Sequence, residues 1–378
     1  MQEFVNLLPG DPAPYFFQAT STNPRFAFHT VAGRYLVLCF YESGGRPEAQ
    51  AAIAAVRARP DLFDDQAASF FGISCDPEDQ ASGRIQDAYP GYRHFWDFDR
   101  HVSRLYGAAA SAPDAGGEET PYRPLWLVLD PTLRVMLVAP VGTDGRGAAA
   151  VLAFLERLPP PARFAGFELQ APIAFLPNVF EPEFCQRLID YYQAQGGEES
   201  GFMREVGGKT VRISDPGHKR RRDCTITDQS LRQAAVARIR RRIVPELVKT
   251  HQFRATRIER YIVGCYSAED RGHFMPHRDN TTKGTAHRRF AVSINLNRDF
   301  EGGNLSFPEY GPKQFKPPPG GAVVFSCSLL HTVSPVTRGL RYVFLPFLYD
   351  DAGAALREAN NRYLSEEVGA YKAPPLEG

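Results

Sequence analysis

Apolar residues along the first 160 positions fall into short, nearly continuous runs separated by polar turns. Tyr35-Leu36-Val37-Leu38-Cys39-Phe40, Phe70 to Ser74, Leu125 to Leu129 and Val135 to Val138 each read as a buried strand. An Ala-rich helical pattern follows the first run, from Pro47 to Val56, and an amphipathic helix covers Ala148 to Leu158. This strand–helix–strand order predicts an α/β layer fold with helices on both faces. Pro159-Pro160-Pro161 cannot continue the last helix, so a boundary between domains 1–162 and 163–378 is expected there.

The pattern changes after the boundary. A helix is expected from Glu183 to Gln195, with Pro182 suited to its first turn. A second runs from Gln229 to Lys249, with Leu231, Ala235, Ile239, Ile243 and Leu247 on one stripe and Pro245 as a kink. From Ala255 onward strand signals dominate: Thr256–Val263, Arg289–Asn295, Asn304–Phe307, Ala322–Ser326 and Arg341–Tyr349. Gly- and Pro-rich turns such as Glu301-Gly302-Gly303 and Pro317-Pro318-Pro319-Gly320-Gly321 separate them. Helices followed by many short strands predict a double-stranded β-helix, or jelly roll, braced by helices, with its core at about 254–350. Loose order is expected only for the tail from Ala370 to Gly378.

A length of 378 residues agrees with two domains at roughly 150 residues each. Lys+Arg 44 against Asp+Glu 43 argues against a general polyanion binder. No window approaches a membrane span, and the N-terminus lacks a secretory pattern. Six cysteines, spread singly, read as reduced thiols of a cytoplasmic protein.

The strongest chemical signal is His277-Arg278-Asp279, then His331 and, ten residues on, Arg341. On a strand, positions 277 and 279 share one side. His331 follows the strand Ala322–Ser326, where a neighbouring strand could bring it alongside. Two imidazoles and a carboxylate on one face of a metal leave positions open, the facial triad of non-haem Fe(II) oxygenases. Arg341 offers a permanently charged fork for the far carboxylate of a dicarboxylate cosubstrate.

From about Phe175 to Asp350 the chain resembles the prolyl-4-hydroxylase-type Fe(II)/2-oxoglutarate dioxygenases. The matching pieces are Cys265-Tyr266, His277-Arg278-Asp279-Asn280, Glu301-Gly302-Gly303-Asn304-Leu305, Pro319 to Phe325, His331 to Val336, and Gly339-Leu340-Arg341. The resemblance implies His277, Asp279 and His331 as iron ligands and Arg341 as the 2-oxoglutarate anchor, with Tyr266 and Asn295 in the cosubstrate pocket. It implies Fe(II), 2-oxoglutarate and O₂, with ascorbate as a candidate reductant. The implied reaction hydroxylates an unactivated C–H bond, with succinate and CO₂ as coproducts. A prolyl residue in a peptide or protein is the first substrate to test, before small molecules. His273 and His287 are read as loop residues. His218-Lys219-Arg220-Arg221-Arg222-Asp223 lacks interleaved aromatics, which favours a solvated loop over a nucleic-acid contact, with Arg222 and Asp223 tying helices to the β core. Nucleic-acid demethylation, a lesser alternative, would require binding that weakens steeply with salt.

From about Leu7 to Leu158 the chain resembles a peroxiredoxin or redoxin domain of thioredoxin-like fold. The resemblance rests on Pro9-Gly10-Asp11-Pro12-Ala13-Pro14 with Phe17, Gly33 to Leu38, Gly72 to Asp76, Trp96 to Asp99, Leu105-Tyr106-Gly107 and Arg123 to Asp130. The family's peroxidatic cysteine follows the first strand, but here the chain reads Tyr41-Glu42-Ser43-Gly44-Gly45-Arg46-Pro47-Glu48. Cys39 is expected to be inert within its strand and Cys75 to be exposed just past one, while Arg123 matches the family's activating arginine without a thiolate to activate. The domain is therefore expected to be a catalytically empty module for scaffolding, substrate presentation or homodimer formation. Two competing classes remain: a thiol-dependent peroxidase, and a non-catalytic binding module.

Overall fold

A computed structural model describes residues 3–111 and 120–371. Residues 372–378, most of the tail expected to be loose, lie outside them. The chain divides into two compact units, Met1–Gln170 with Pro308–Pro312, and Ala171–Phe307 with Lys313–Gly378. The proline run does end the preceding helix, but a short turn over Pro161–Arg163 follows and Phe164 packs on the first core. That packing carries the first unit on to Gln170.

The first unit is built on a five-stranded sheet of β1 (Tyr35–Glu42), β2 (Ala68–Ser74), β3 (Tyr92–Trp96), β4 (Leu125–Leu129) and β5 (Val135–Pro140), in the order β3-β2-β1-β4-β5. β1 runs parallel to β2, and β2 to β3, while β4 and β5 are antiparallel additions. Helices α1 (Pro47–Arg57) and α2 (Arg146–Glu156) bring Ala49, Ala52, Val56, Val151 and Leu155 against Val37, Cys39 and Trp126 on one face. The opposite face is closed by an aromatic cluster in which Phe71 stacks on Phe95 and Phe16 on Phe28. This is the α/β layer fold expected from the apolar runs and the thioredoxin-like architecture implied by the resemblance, with short helical turns on the second face.

The second unit opens with β6 (Ile173–Leu176) and α3 (Pro182–Gln195), then the hairpin β7 (Phe202–Val206)–β8 (Lys209–Ile213) and the short strands β9 (Lys219–Arg220) and β10 (Arg222–Thr225). Helix α4 (Gln229–Arg242) is capped by the Asp228 carboxylate, which accepts from the Leu231 amide at 2.9 Å. The expected kink is a full break at Ile243: α5 (Val244–His251) begins anew with Pro245 in its first turn, where proline's missing N–H costs nothing.

The remaining strands are β11 (Arg257–Glu259), β12 (Ile262–Ser267), β13 (His273–His277), β14 (Phe290–Asn295), β15 (Leu305–Ser306), β16 (Ala322–Ser326), β17 (His331–Val333), β18 (Val336–Phe344) and β19 (Phe347–Tyr349). One sheet follows the order β11-β19-β14-β18-β12-β10, with β16 and β6 attached beyond β14, and the other contains β9-β13-β17-β15. These two sheets make the jelly roll. Residues Val263, Cys265, Val292, Ile294, Tyr342, Phe344 and Leu348 face the helices and share their core. By the period of two, Tyr266, Ser293, Asn295, Arg341 and Phe347 face the other way, into the roll.

Two expected strands are interrupted. Thr256–Val263 breaks at Arg260, whose φ of 66° lies in the left-handed region and costs an arginine about 1–2 kcal/mol. Arg341–Tyr349 splits at Leu345-Pro346, because proline cannot donate to the ladder.

Candidate active site

The triad is assembled by strand pairing. β13 and β17 are antiparallel neighbours with His277 directly opposite His331, after a register irregularity between Phe274 and His277. His331 thus lies on a strand of its own. Asp279 lies just past the end of β13, so the expected alternation along one strand does not place it; its amide donates to the Cys327 carbonyl at 2.9 Å and so fixes the turn.

Each imidazole is oriented by its own strand. His277 Nδ1 donates to the Met275 carbonyl at 2.7 Å, and His331 Nδ1 to the Leu329 carbonyl at 3.0 Å. This fixes the tautomer and leaves both Nε2 lone pairs free to bind a metal. Phe274 stacks on the His277 ring and Phe325 meets His331 edge-on. Burial, reinforced by His331, holds His277 well below its ordinary pKa and therefore neutral.

His277 Nε2 lies 3.7 Å from Asp279 Oδ1, and His331 Nε2 lies 3.4 Å from Asp279 Oδ2. Donor atoms of the three residues lie within 4.8 Å of one another. Donors at right angles on a first-row ion with bonds of about 2.1 Å would stand about 3 Å apart. Two imidazoles and one carboxylate on one side therefore fit a divalent ion with open positions.

Arg341 is 2% exposed on β18, directly across the ladder from Tyr266 on β12. Its Nε donates to Asn295 Oδ1 at 3.0 Å and its Nη2 to Ser293 Oγ at 3.1 Å, and its Cζ lies 5.4 Å from the Tyr266 ring centroid. Burial pulls it down to about 10, with Tyr266 opposing the shift and Arg221 adding to it. Among the described residues no carboxylate forms a salt bridge with it. A buried guanidinium without a counter-charge fits a carboxylate brought by a ligand. The Gly-rich turn supports this arrangement, since a Cβ on Gly303 would lie 3.1 Å from Arg341 Cδ and 2.8 Å from Val336 Cγ2.

Asn295, expected in the cosubstrate pocket, spends its side chain on Arg341 and on the Pro317 carbonyl, to which Nδ2 donates at 2.9 Å. Ser293 went unread because a lone serine in an apolar strand carries no signal without its neighbour. The basic run is not a solvated loop. Lys219 and Arg221 point inward while Arg220 and Arg222 are exposed. The ion pair with Asp223 belongs to Arg221, two residues away on the same side: Nε reaches Oδ1 at 2.6 Å and Nη2 reaches Oδ2 at 2.8 Å. Arg221 Nη1 also donates to Tyr266 Oη at 3.3 Å, and Arg222 instead donates to the Gly197 carbonyl. His273 begins β13 and so is not the loop residue expected, whereas His287 does lie in the turn before β14, buried with Nε2 2.7 Å from Glu259 Oε2.

Burial opposes ionisation of Asp223, but Arg221 outweighs it and holds the carboxyl far below the usual range. Breaking such a pair strands a buried cation, so Asp223→Ala is expected to cost about 3–5 kcal/mol. Urea unfolding of the full chain, followed through the second unit's transition, measures this. Because the folded pKa is depressed, the stabilisation is present above about pH 4 and is lost as pH falls below it. A transition unmoved by the substitution would contradict this account.

In the first unit, all six cysteines of the chain being buried, Cys75 is not exposed as its position past β2 suggested. Its Sγ lies 3.4 Å from Ser103 Oγ, and burial pushes it up to about 12. Carboxylates fill the turn before α1: Ser43 Oγ donates to Asp76 Oδ2 at 2.7 Å and the Gly44 amide to Asp79 Oδ2 at 2.7 Å. Arg123 is occupied elsewhere, donating to the Gly107 and Val5 carbonyls at 2.5 and 2.6 Å. A thiol-exchange reagent at neutral pH is therefore expected to leave all six thiols unreacted until denaturant is added; rapid labelling of Cys75 in the native protein would refute it.

Comparison with known proteins agrees with both halves. Residues 257–349 match the model of the 2OG-Fe(II) oxygenase superfamily, and residues 9–136 that of the AhpC/TSA family. The protein thus joins an AhpC/TSA-type redoxin domain to a 2OG-Fe(II) oxygenase domain. Among curated relatives, a PKHD-type hydroxylase of Pseudomonas fluorescens is 38% identical over 90 residues, covering 21% of this chain and 39% of the relative. The chain therefore spans about two fifths of that relative's length. Among solved structures, a Trichoplax adhaerens prolyl hydroxylase bound to a hypoxia-inducible-factor peptide is 17% identical, covering 50% of this chain and 87% of its own, with a TM-score of 0.37. A Xanthomonas campestris peroxiredoxin Q is 20% identical, covering 37% and 89%, with a TM-score of 0.31. Among the described residues, no helix is long and apolar enough to cross a membrane.

Proposed function

We propose that the protein is an Fe(II)- and 2-oxoglutarate-dependent dioxygenase that hydroxylates an unactivated C–H bond, with a prolyl residue of a peptide or protein as the first substrate to test. The observation that carries this reading is the pairing of two sites: a His–Asp–His face and, inside the same roll, a buried arginine that forms no salt bridge among the described residues. His277, Asp279 and His331 would hold Fe(II), which supplies O₂ activation coupled to decarboxylation of 2-oxoglutarate to succinate and CO₂. Arg341 would grip the distal carboxylate of the cosubstrate, and Asn295 and Ser293 hold the guanidinium so that its remaining N–H groups face it. Tyr266 lines the same pocket and shields the pair from water. Ascorbate is proposed as the reductant that maintains Fe(II). The first unit is assigned no chemistry; scaffolding, substrate presentation or pairing of two copies is its proposed part.

Anaerobic titration of the metal-free protein with Fe(II) and 2-oxoglutarate tests the reading. A visible charge-transfer band that saturates with both components is expected. Its absence from correctly folded protein would leave a binding module in place of an enzyme.

A further inference from the structure

Beyond Arg341, the second unit holds another arginine with a buried Nε and no salt bridge among the described residues, Arg260. The left-handed backbone at Arg260 interrupts the β11–β12 alternation and lays the guanidinium on Phe347, 4.2 Å from the ring centroid. Arg288 lies on the same ring at 4.1 Å, and its Nη1 donates to the Asp279 carbonyl at 3.3 Å. Arg260 is therefore joined to the triad's turn through Phe347 and Arg288. Its Nε is buried without a hydrogen-bond partner, and among the described residues no carboxylate forms a salt bridge with it. The nearby acids are committed: Asp223 to Arg221, Glu259 to Arg288 and His287, and Asp279 to the triad. Lys219 is not a second such cation: it donates to Ser200 Oγ at 2.6 Å and the Gly201 carbonyl at 2.7 Å, and burial holds its amine well below the ordinary pKa.

A divalent ion and the dicarboxylate cosubstrate cancel each other's charge, so loading the site leaves Arg260 without an ion-pair partner. We infer that Arg260 forms an oxyanion subsite for the primary substrate, and that the molecule hydroxylated carries a carboxylate or a phosphate. The inference rests on the dioxygenase reading and narrows it. A neutral prolyl ring within a peptide offers Arg260 nothing, whereas a free carboxylate or a phosphate matches its planar fork.

The test uses the full chain loaded with Fe(II) and 2-oxoglutarate under nitrogen, titrated calorimetrically with acetate and with inorganic phosphate at constant ionic strength. Saturable binding of at least one anion is expected in the wild type. It should weaken about tenfold or more in Arg260→Gln and recover in part in Arg260→Lys, with 2-oxoglutarate affinity within about twofold in all three. Acetate alone would identify a carboxylate substrate and phosphate alone a phosphorylated one. No saturable anion binding in the wild type, or binding unchanged in folded Arg260→Gln, overturns the inference. So does a tenfold loss of 2-oxoglutarate affinity in that variant, which would make Arg260 a cosubstrate ligand. If Arg260→Gln does not fold, Arg260→Lys carries the comparison, since losing the fork alone should weaken binding. Absence of the charge-transfer band in the wild type would instead remove the dioxygenase reading, and the calorimetric arm would still decide the anion site by itself.

Discussion

His277→Ala is expected to eliminate the charge-transfer band and all substrate-dependent turnover. The substitution removes one of three donors from a face that has no spare: among the described residues, His277, Asp279 and His331 form the one group of such donors close enough to hold an ion. Losing merely a hydrogen-bond partner of a metal ligand costs about 10–100-fold in affinity, and losing the ligand itself should exceed that. Fe(II) affinity measured anaerobically should thus fall by more than about 100-fold. Circular dichroism should be unchanged, since the imidazole's tie to the fold is its bond to the Met275 carbonyl. A variant that retained the band would mean that the triad does not hold the metal.

Arg341→Ala should separate cosubstrate from metal. Truncating one side of a buried, charge-assisted pair costs about 2–5 kcal/mol, so the 2-oxoglutarate concentration at half-saturation should rise about 30- to 4,000-fold while Fe(II) binding is preserved. Arg341→Lys keeps the charge but loses the fork held by Asn295 and Ser293, and should fall between. Equal half-saturation in wild type and Arg341→Ala would overturn the assignment of the anchor.

The parts of the molecule legible in the sequence are those where one local pattern fixes the structure. The continuous apolar runs at Tyr35–Phe40 and Leu125–Leu129 are strands because nothing polar lets them face water. The triad residues were legible because few other sequences need that spacing. Features that depend on neighbours brought from afar were not. The inward turn of Arg221, its pairing with Asp223 rather than Arg222's, and the Ser293–Arg341 bond all arise from ladder register, which no local window encodes. The break at Arg260 was hidden for a different reason: an arginine does not advertise a left-handed backbone as glycine does.

The corner before α1 bears on the chemistry open to the first unit. A reactive thiolate needs uncommitted positive surroundings, and at this turn Asp76 and Asp79 hold Ser43 and the Gly44 amide and occupy Arg84, while Arg123 holds the carbonyls of Val5 and Gly107. A single cysteine placed in this corner would therefore not be reactive. It would need the removal of two carboxylates and the release of a guanidinium that now holds backbone, so the corner is set against thiolate chemistry by several residues at once.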